Sequence, residues 1–488
     1  MLFNSYTFIF AFLPLCLVSF YIVKHFFGLK GSLICLIVFS LIFYSYWSIN
    51  YLFLLLASVS ANYLMSSKLS ERDLNPLIKR YLFIFGIAFN IFLLGIFKYY
   101  DFFIVNINLF TGTELMIRNI VLPLAISFYT LQQITFLVDS GQGSQKKSTF
   151  IDYVIFVLFF PQLIAGPIVR YGVLKKQYLK DSFIKVDINN INLGISIFSI
   201  GLFKKVFLAD YFAQIASWGF SDSIELSVIQ AWLVSLSYVL QLYFDFSGYS
   251  DMAIGLGIMF GFTLPINFNS PLKSSNIIDF WNKWHMTLTS FIGAYLFTPM
   301  LRASKTPTFI KSLIFTIISM TIAGLWHGPS WLFVIFGLWH GLGLAINQLY
   351  RKFNFKMNYF LGWFLTINFW TIGCVFFRSE DTQTAFNILS SMYYGQLIIP
   401  STIVNNLSHI GLGEYYRGGS IFEGMPVDPI NYILMFIGGI VIIALPYNTN
   451  FITLNFKFSR LRAILFGAVF SIAILSLGGY SEFIYFNF

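Results

Sequence analysis

Long runs of apolar residues, joined by short loops, leave this chain few ways to fold. They fall at 8–23, 31–47, 51–66, 81–97, 120–138, 152–169, 191–203, 226–244, 252–264, 313–326, 331–347, 359–377, 432–445 and 463–479. They are apolar all round rather than alternating, which selects helices over the strands of a membrane barrel. Composition agrees: 57% of the 488 residues are hydrophobic and 10% are charged, where soluble domains carry about 25% charged residues. So few charges cannot cover the surface of a soluble chain of this length. The expectation is an all-α polytopic membrane protein, a single domain over residues 1–488. Several runs are shorter than a full span, so we expect roughly 11 transmembrane helices plus re-entrant or interfacial ones. The first run has no basic segment before it and no small-residue cleavage site after it, and reads as a retained span.

The 30 Lys and Arg outnumber the 20 Asp and Glu. They gather in short loops between apolar runs, where they set orientation rather than bind nucleic acid. Cytoplasmic loops are expected at Lys68, Arg72, Lys79 and Arg80, at Lys146 and Lys147, and at Arg170, Lys175, Lys176, Lys180 and Lys185. The last two sets flank the single run 152–169. That run is therefore expected to enter and leave on one side, broken at Pro161 and at Gly166-Pro167. Arg351, Lys352 and Lys356 mark the cytoplasm again, as do Lys457, Arg460 and Arg462, which puts the acidic segment 378–428 and both termini outside. Cys16, Cys35 and Cys374 lie singly in apolar runs, so neither a disulfide framework nor a zinc site is indicated.

Polar residues are costly in a bilayer, and their placement is informative. Here they crowd between Tyr243 and His340: Tyr243 to Asp251, Asn267 to Lys273, Asp279 to His285, and Leu325-Trp326-His327-Gly328-Pro329, echoed by Leu338-Trp339-His340-Gly341. Three of the five histidines fall there; His25 and His409 read as surface residues. His327 stands at a Gly-Pro break. Alone it reads as a structural histidine bonded at a helix end. As a functional group it is a general base, because neutral imidazole can take a hydroxyl proton near neutral pH. His285 stands in a Trp- and Lys-rich segment that also suits an interfacial helix. His340 follows His327 by 13 residues, on another face of a straight helix, and reads as structural. No histidine spacing supports a metal site. There is no phosphate-binding loop and no nucleophile elbow. Gly255 and Gly257 read as close helix packing.

Several short motifs then occur in a specific order: Met1-Leu-Phe-Asn-Ser, Phe12-Leu-Pro, Pro123 to Gln133, Phe160-Pro161-Gln162 to Gly166-Pro167, Phe203-Lys204-Lys205 with Asp210, Tyr243 to Asp251, Asp279 to His285, Leu325-Trp326-His327-Gly328, Val375-Phe-Phe-Arg378 and Phe483-Ile-Tyr-Phe. Over most of its length the chain resembles the membrane-bound O-acyltransferase superfamily. It looks most like the bacterial branch holding the alginate O-acetyltransferase membrane subunit. The peptidoglycan O-acetyltransferase and teichoic-acid D-alanyl transferase subunits are near relatives. The resemblance implies a ring of tilted helices around a central tunnel. It makes His327 the catalytic histidine and His285 the second one. It implies no bound cofactor and no metal, but an acyl thioester, acetyl-coenzyme A or an acyl carrier, arriving from the cytoplasm. The partners it implies are a periplasmic acyltransferase or polysaccharide-modifying protein, in addition to membrane lipids. The setting it implies is the bacterial cytoplasmic membrane.

On this reading His327 takes the proton of an acceptor hydroxyl as the thioester carbonyl is attacked, and His285 or Asn282 supplies the oxyanion donor. Asn282, Asp245, Asp251, Trp284 and Trp326 are candidates for lining the tunnel and orienting substrate; for the two aspartates, helix capping is an equal alternative. Arg170, Lys204 and Lys205 are candidates for the donor's phosphates, with topology signals as their plainer role. Three rivals stay open: acylation of a lipid, teichoic acid or protein; a transporter, which broken helices also suit; and a scaffold for polysaccharide export.

Overall fold

The computed structural model describes residues 1–71, 73–143, 148–179, 187–221, 224–399, 416–446, 448–457, 459–478 and 484. Arg72, Lys146, Lys147, Lys180, Lys185, His409 and most of the terminal motif at 483–486 lie outside them. The regular elements among the described residues are helices apart from one short parallel pair, Leu397–Ile399 with Tyr416–Gly418, inside the expected external segment.

Among the described residues, seven helices are long and apolar enough to cross a membrane: Thr7–Ser45, Ile49–Leu69, Pro76–Thr111, Ile188–Gly219, Phe309–His327, Trp331–Lys352 and Tyr359–Arg378. The pair Pro429–Ala444 and Thr449–Asn455, bent by 49°, makes up to eight. This is fewer than the roughly 11 expected from run lengths, for physical reasons. The run 120–138 begins without regular structure, and only Ile126–Gly141 is helical. The runs 226–244 and 252–264 form one helix, Val228–Met259, buried along most of its length. In the other direction, Thr7–Ser45 turns back at Gly28, whose φ of 66° a side chain would disfavour. The Phe12 ring then packs on Phe39 and Phe43 at 5.7 Å, so this stretch is an antiparallel pair.

The run 152–169 folds as expected, into broken pieces. A capping box between Thr149 and Asp152 starts the helix Phe150–Leu158. Phe159 leaves helical geometry, and Pro161 opens the short helix Phe160–Leu163. The chain then comes back to where it began: Asp152 meets Lys175 at 3.1 Å and accepts the Tyr178 hydroxyl at 2.8 Å. Residues 153–169 are buried throughout, so backbone groups freed by the breaks are sheltered by protein rather than lipid.

The helix Val228–Met259 is the centre of the molecule. The helix Ile188–Phe203 lies against it backbone to backbone: a Cβ on Gly255 would fall 2.5 Å from the Gly194 carbonyl, and one on Gly248 would fall 2.7 Å from the Gly201 carbonyl. Small residues allow this approach, as the sequence indicated for Gly255. The central helix carries Asp245 and Asp251, and its neighbour's end supplies their partners. Lys205 bridges Asp210 (2.6 Å) and Asp245 (2.8 Å), and Lys204 pairs with Asp251 (2.6 Å). Asp251 also accepts the Thr449 hydroxyl, and Asp245 accepts the Ile484 amide, which ties the C-terminal elements to the centre.

Candidate active site

His285 stands between two short helices, Ile277–Trp281 and Met286–Ile292, with a left-handed backbone of φ 42°, ψ 52°. Non-glycine residues hold this conformation only where their surroundings enforce it. The enforcing segment is 265–270, which runs alongside. Asn269 N–H donates to the Lys283 carbonyl, and Met286 N–H donates to the Asn267 carbonyl. The Phe246 ring of the central helix meets the imidazole edge-on at 4.7 Å. Trp284 points the other way, into an aromatic cluster with Phe268, Phe280 and Trp370.

The side chain of Asn267 fixes the chemical form of His285. The backbone N–H of Thr287 points at the Asn267 Oδ1 atom at 3.2 Å, and a backbone N–H can only donate, so that atom is the amide oxygen. The Thr287 hydroxyl also donates to it, at 2.9 Å, and His285 Nδ1 lies 3.0 Å away. Nδ1 must therefore carry a proton. In the neutral ring Nε2 is then the bare acceptor nitrogen. Nε2 is buried and has no hydrogen-bond partner among the described residues. The oxyanion-donor role expected of His285 does not fit this tautomer, because only an imidazolium could donate from Nε2.

His327 is the last residue of the helix Phe309–His327 and is 6% exposed. The chain leaves that helix at once through an extended Gly328, and Ser330 caps the next helix, Trp331–Lys352. The two helices cross closely where Gly324 meets Gly337. The His327 ring packs against Trp326, Phe377 and Phe336 at 5.0, 5.2 and 6.2 Å. It lies within electrostatic reach of His285. The fold thus brings the two expected histidines, 42 positions apart, into one buried region. Trp326 stands beside His327, its indole N–H buried and without a partner among the described residues.

A sequence model of the family described as MBOAT, membrane-bound O-acyltransferase, matches residues 41–380, which include both histidines. The chain belongs to this family. It is 43% identical over 427 residues to a peptidoglycan O-acetyltransferase of Helicobacter pylori, covering 80% of each chain. It is 35% identical over 399 residues to a probable alginate O-acetylase of Azotobacter vinelandii, covering 80% of this chain and 78% of the other. A teichoic acid D-alanyltransferase of Bacillus subtilis is 28% identical over 260 residues, covering 52% of this chain and 65% of the other. The chain is therefore a multi-pass membrane O-acyltransferase.

The other expected residues of this acyltransferase divide. Lys204 and Lys205 are each held by carboxylates, and Lys205 is 1% exposed, so neither presents a free cation to phosphates. The physical reason is that a cation inside apolar surroundings takes the nearest acid as its partner. Asp245 and Asp251 are those acids; they sit inside the central helix rather than at its ends. Asn282 ends the helix Ile277–Trp281 as its exposed residue and does not join the buried cluster. Arg170 is the exposed basic candidate. It stacks on Tyr295 at 5.3 Å, and Tyr295 donates to Asp139 at 3.0 Å. Arg170 and Tyr295 line a cavity of about 350 Å³ with Ile168, Pro265 and the two residues that follow His285, Met286 and Thr287. That volume is within the range of small-molecule sites, about 300–1,000 Å³. His340 is fully buried among Phe336, Trp370 and Trp281, on the far side of Phe336 from His327.

Two residues of this region stand out only in three dimensions. Asn267 belongs to a polar cluster visible in the sequence, but nothing there links it to His285. Lys98 stands at the end of an apolar run. Its ammonium donates to the Trp326 and His327 carbonyls at 2.6 and 3.1 Å and to the Ser127 hydroxyl at 3.0 Å. A lysine inside an apolar helix is the available signal. Among the described residues, no three His, Cys, Asp or Glu side chains converge as a set of metal ligands.

Proposed function

We propose that this acyltransferase moves an acyl group, most simply acetyl, from a cytoplasmic thioester to a hydroxyl of an extracytoplasmic polysaccharide. It would act in the bacterial cytoplasmic membrane, directly or through a periplasmic partner protein. Higher identity to the peptidoglycan enzyme than to the alginate one favours a cell-wall glycan as acceptor. The observation that carries the reading is the buried His327–His285 pair, with one ring held by Asn267 as a bare acceptor.

In this mechanism the acceptor oxygen attacks the thioester carbonyl while His327 takes its proton, a role worth about 10²–10⁴ in rate. The tetrahedral intermediate collapses with loss of the thiolate, which takes that proton from the imidazolium. A C–O bond has replaced a C–S bond. His285, an acceptor at Nε2, orients the incoming hydroxyl. The indole N–H of Trp326 can only donate and suits the oxyanion. The cavity behind Thr287 gives the donor a place, with Arg170 at its rim for a phosphate.

The test compares ester-linked acyl groups on the envelope polymers of cells making the wild type or His327→Ala at equal membrane abundance. We expect the esters to vanish in the variant. The released acid then names the acyl group, and the polymer that carried it names the acceptor. Unchanged esters with both proteins present would sink the assignment and return the polar region to a transport path or scaffold. Esters lost from lipid or protein instead would move the acceptor to that class.

A further inference from the structure

We propose that Lys98 is a positioning residue for the transfer reaction, its ammonium clamping the end of the His327 helix so that the imidazole stays in its reactive pose. This rests on the role of His327 given above. A helix leaves its last carbonyls without internal partners, and they carry the negative end of the helix dipole. In an ordinary helix a following glycine in left-handed geometry closes this end. Here Gly328 is extended, with φ −166°, so the chain departs directly after the histidine. Only the Leu325 carbonyl receives a bond from the departing chain, from Gly328 N–H.

The closure comes from another helix. A π-turn, Gly95–Tyr99, interrupts the span Pro76–Thr111. Such turns insert a residue and are frequent at functional sites. From it the Tyr99 hydroxyl donates to the Leu325 carbonyl at 2.9 Å. Lys98 Nζ reaches the next two carbonyls and Ser127. These three acceptors use all three N–H groups of the ammonium. None is a carboxylate, and no acid among the described residues lies within ion-pair distance of Lys98. The other buried lysine of the centre, Lys205, has two carboxylates. Burying a cation at 6% exposure without a counter-ion is costly. What it gains is a fixed end for one helix, and the residue at that end is His327. Lys98 also lies 5.8 Å from the Trp326 ring, so the clamp reaches the base and its neighbouring donor together.

The experiment measures the initial rate at which ester-linked acyl groups appear on the polymer after induction, per unit of membrane-inserted protein. Lys98→Met, Lys98→Arg and His327→Ala are compared with the wild type, and the unfolding temperature of each purified protein is read in detergent. A misplacement of about 1 Å costs on the order of 10²-fold in rate. Lys98→Met should therefore slow transfer by about that factor at wild-type abundance and unfolding temperature, and Lys98→Arg, which keeps the charge and the donors, should recover most of it. Three results would overturn the proposal and leave His327 in place: a wild-type rate in Lys98→Met, a rate that falls only in proportion to folded protein, or an arginine variant as slow as the methionine one. A wild-type rate in His327→Ala would remove the role of His327 itself, and the positioning role of Lys98 with it.

Discussion

A single amide oxygen decides much of the chemistry. Because Thr287 N–H identifies the Asn267 oxygen, His285 is held with its proton on Nδ1 and cannot donate from Nε2 while neutral. The donor for an oxyanion must then come from elsewhere, and the indole N–H of Trp326 is buried, unpartnered among the described residues and next to His327. Trp326→Phe keeps an aromatic ring, though a smaller one than indole, and removes the N–H. We expect kcat to fall by about 10²–10³, the usual cost of one oxyanion donor, with KM for the proposed thioester donor unchanged. A kcat within twofold of wild type would take the donor role from Trp326. At this scale the sequence was legible for types and illegible for pairings. His327 and His285 were recognisable from their motifs. Asn267, Thr287 and Lys98 were not: Asn267 lies 18 positions from His285 and 20 from Thr287, and Lys98 lies 228 positions from the Trp326 carbonyl.

Helix-scale arrangements separate basic residues that look alike in sequence. Lys204 and Lys205 follow the helix Ile188–Phe203, midway along the span Ile188–Gly219, where Asp245, Asp251 and Asp210 meet them; Arg170 ends a buried hairpin at a cavity rim. Sequence placed all three near cytoplasmic loops but could not show that helices packed through Gly194–Gly255 and Gly201–Gly248 bring acids to two of them. The two kinds of cation should respond oppositely. Lys205→Met leaves two buried carboxylates unpaired with the ammonium, and breaking such a buried pair costs about 3–5 kcal/mol. We expect less folded protein and a lower unfolding temperature, with an unchanged KM for the proposed thioester donor in the folded fraction. Arg170→Gln should do the reverse: unfolding temperature near wild type, and KM raised about tenfold, the loss of about 1.4 kcal/mol of binding. A raised KM in Lys205→Met with stability intact would put Lys205 back among the donor contacts.

For the whole molecule, apolar runs outnumber the helices among the described residues that are long and apolar enough to span, because length and apolarity do not distinguish a helix in lipid from one inside protein. Val228–Met259 is surrounded by other helices, and 152–169 is sealed within them. What the sequence did show was that 152–169 returns to its starting side, from bases on both flanks and prolines within. Side-chain contacts give the same geometry without reference to charge. Tyr63, near the end of Ile49–Leu69, donates to the Ser148 carbonyl; Asp152, at the start of the hairpin, holds Lys175 and Tyr178 at its end. The end of the second span and both ends of the hairpin therefore share one face. Single cysteines at the exposed positions Lys68 and Lys176, placed in a variant lacking Cys16, Cys35 and Cys374, test this with a membrane-impermeant maleimide. If the positive-inside pattern and the hairpin both hold, neither position reacts in intact cells and both react once the membrane is opened. Labelling of both in intact cells would invert the orientation yet keep the hairpin. Labelling of Lys176→Cys alone would mean that 150–178 crosses the membrane, which the Asp152–Lys175 contact does not permit.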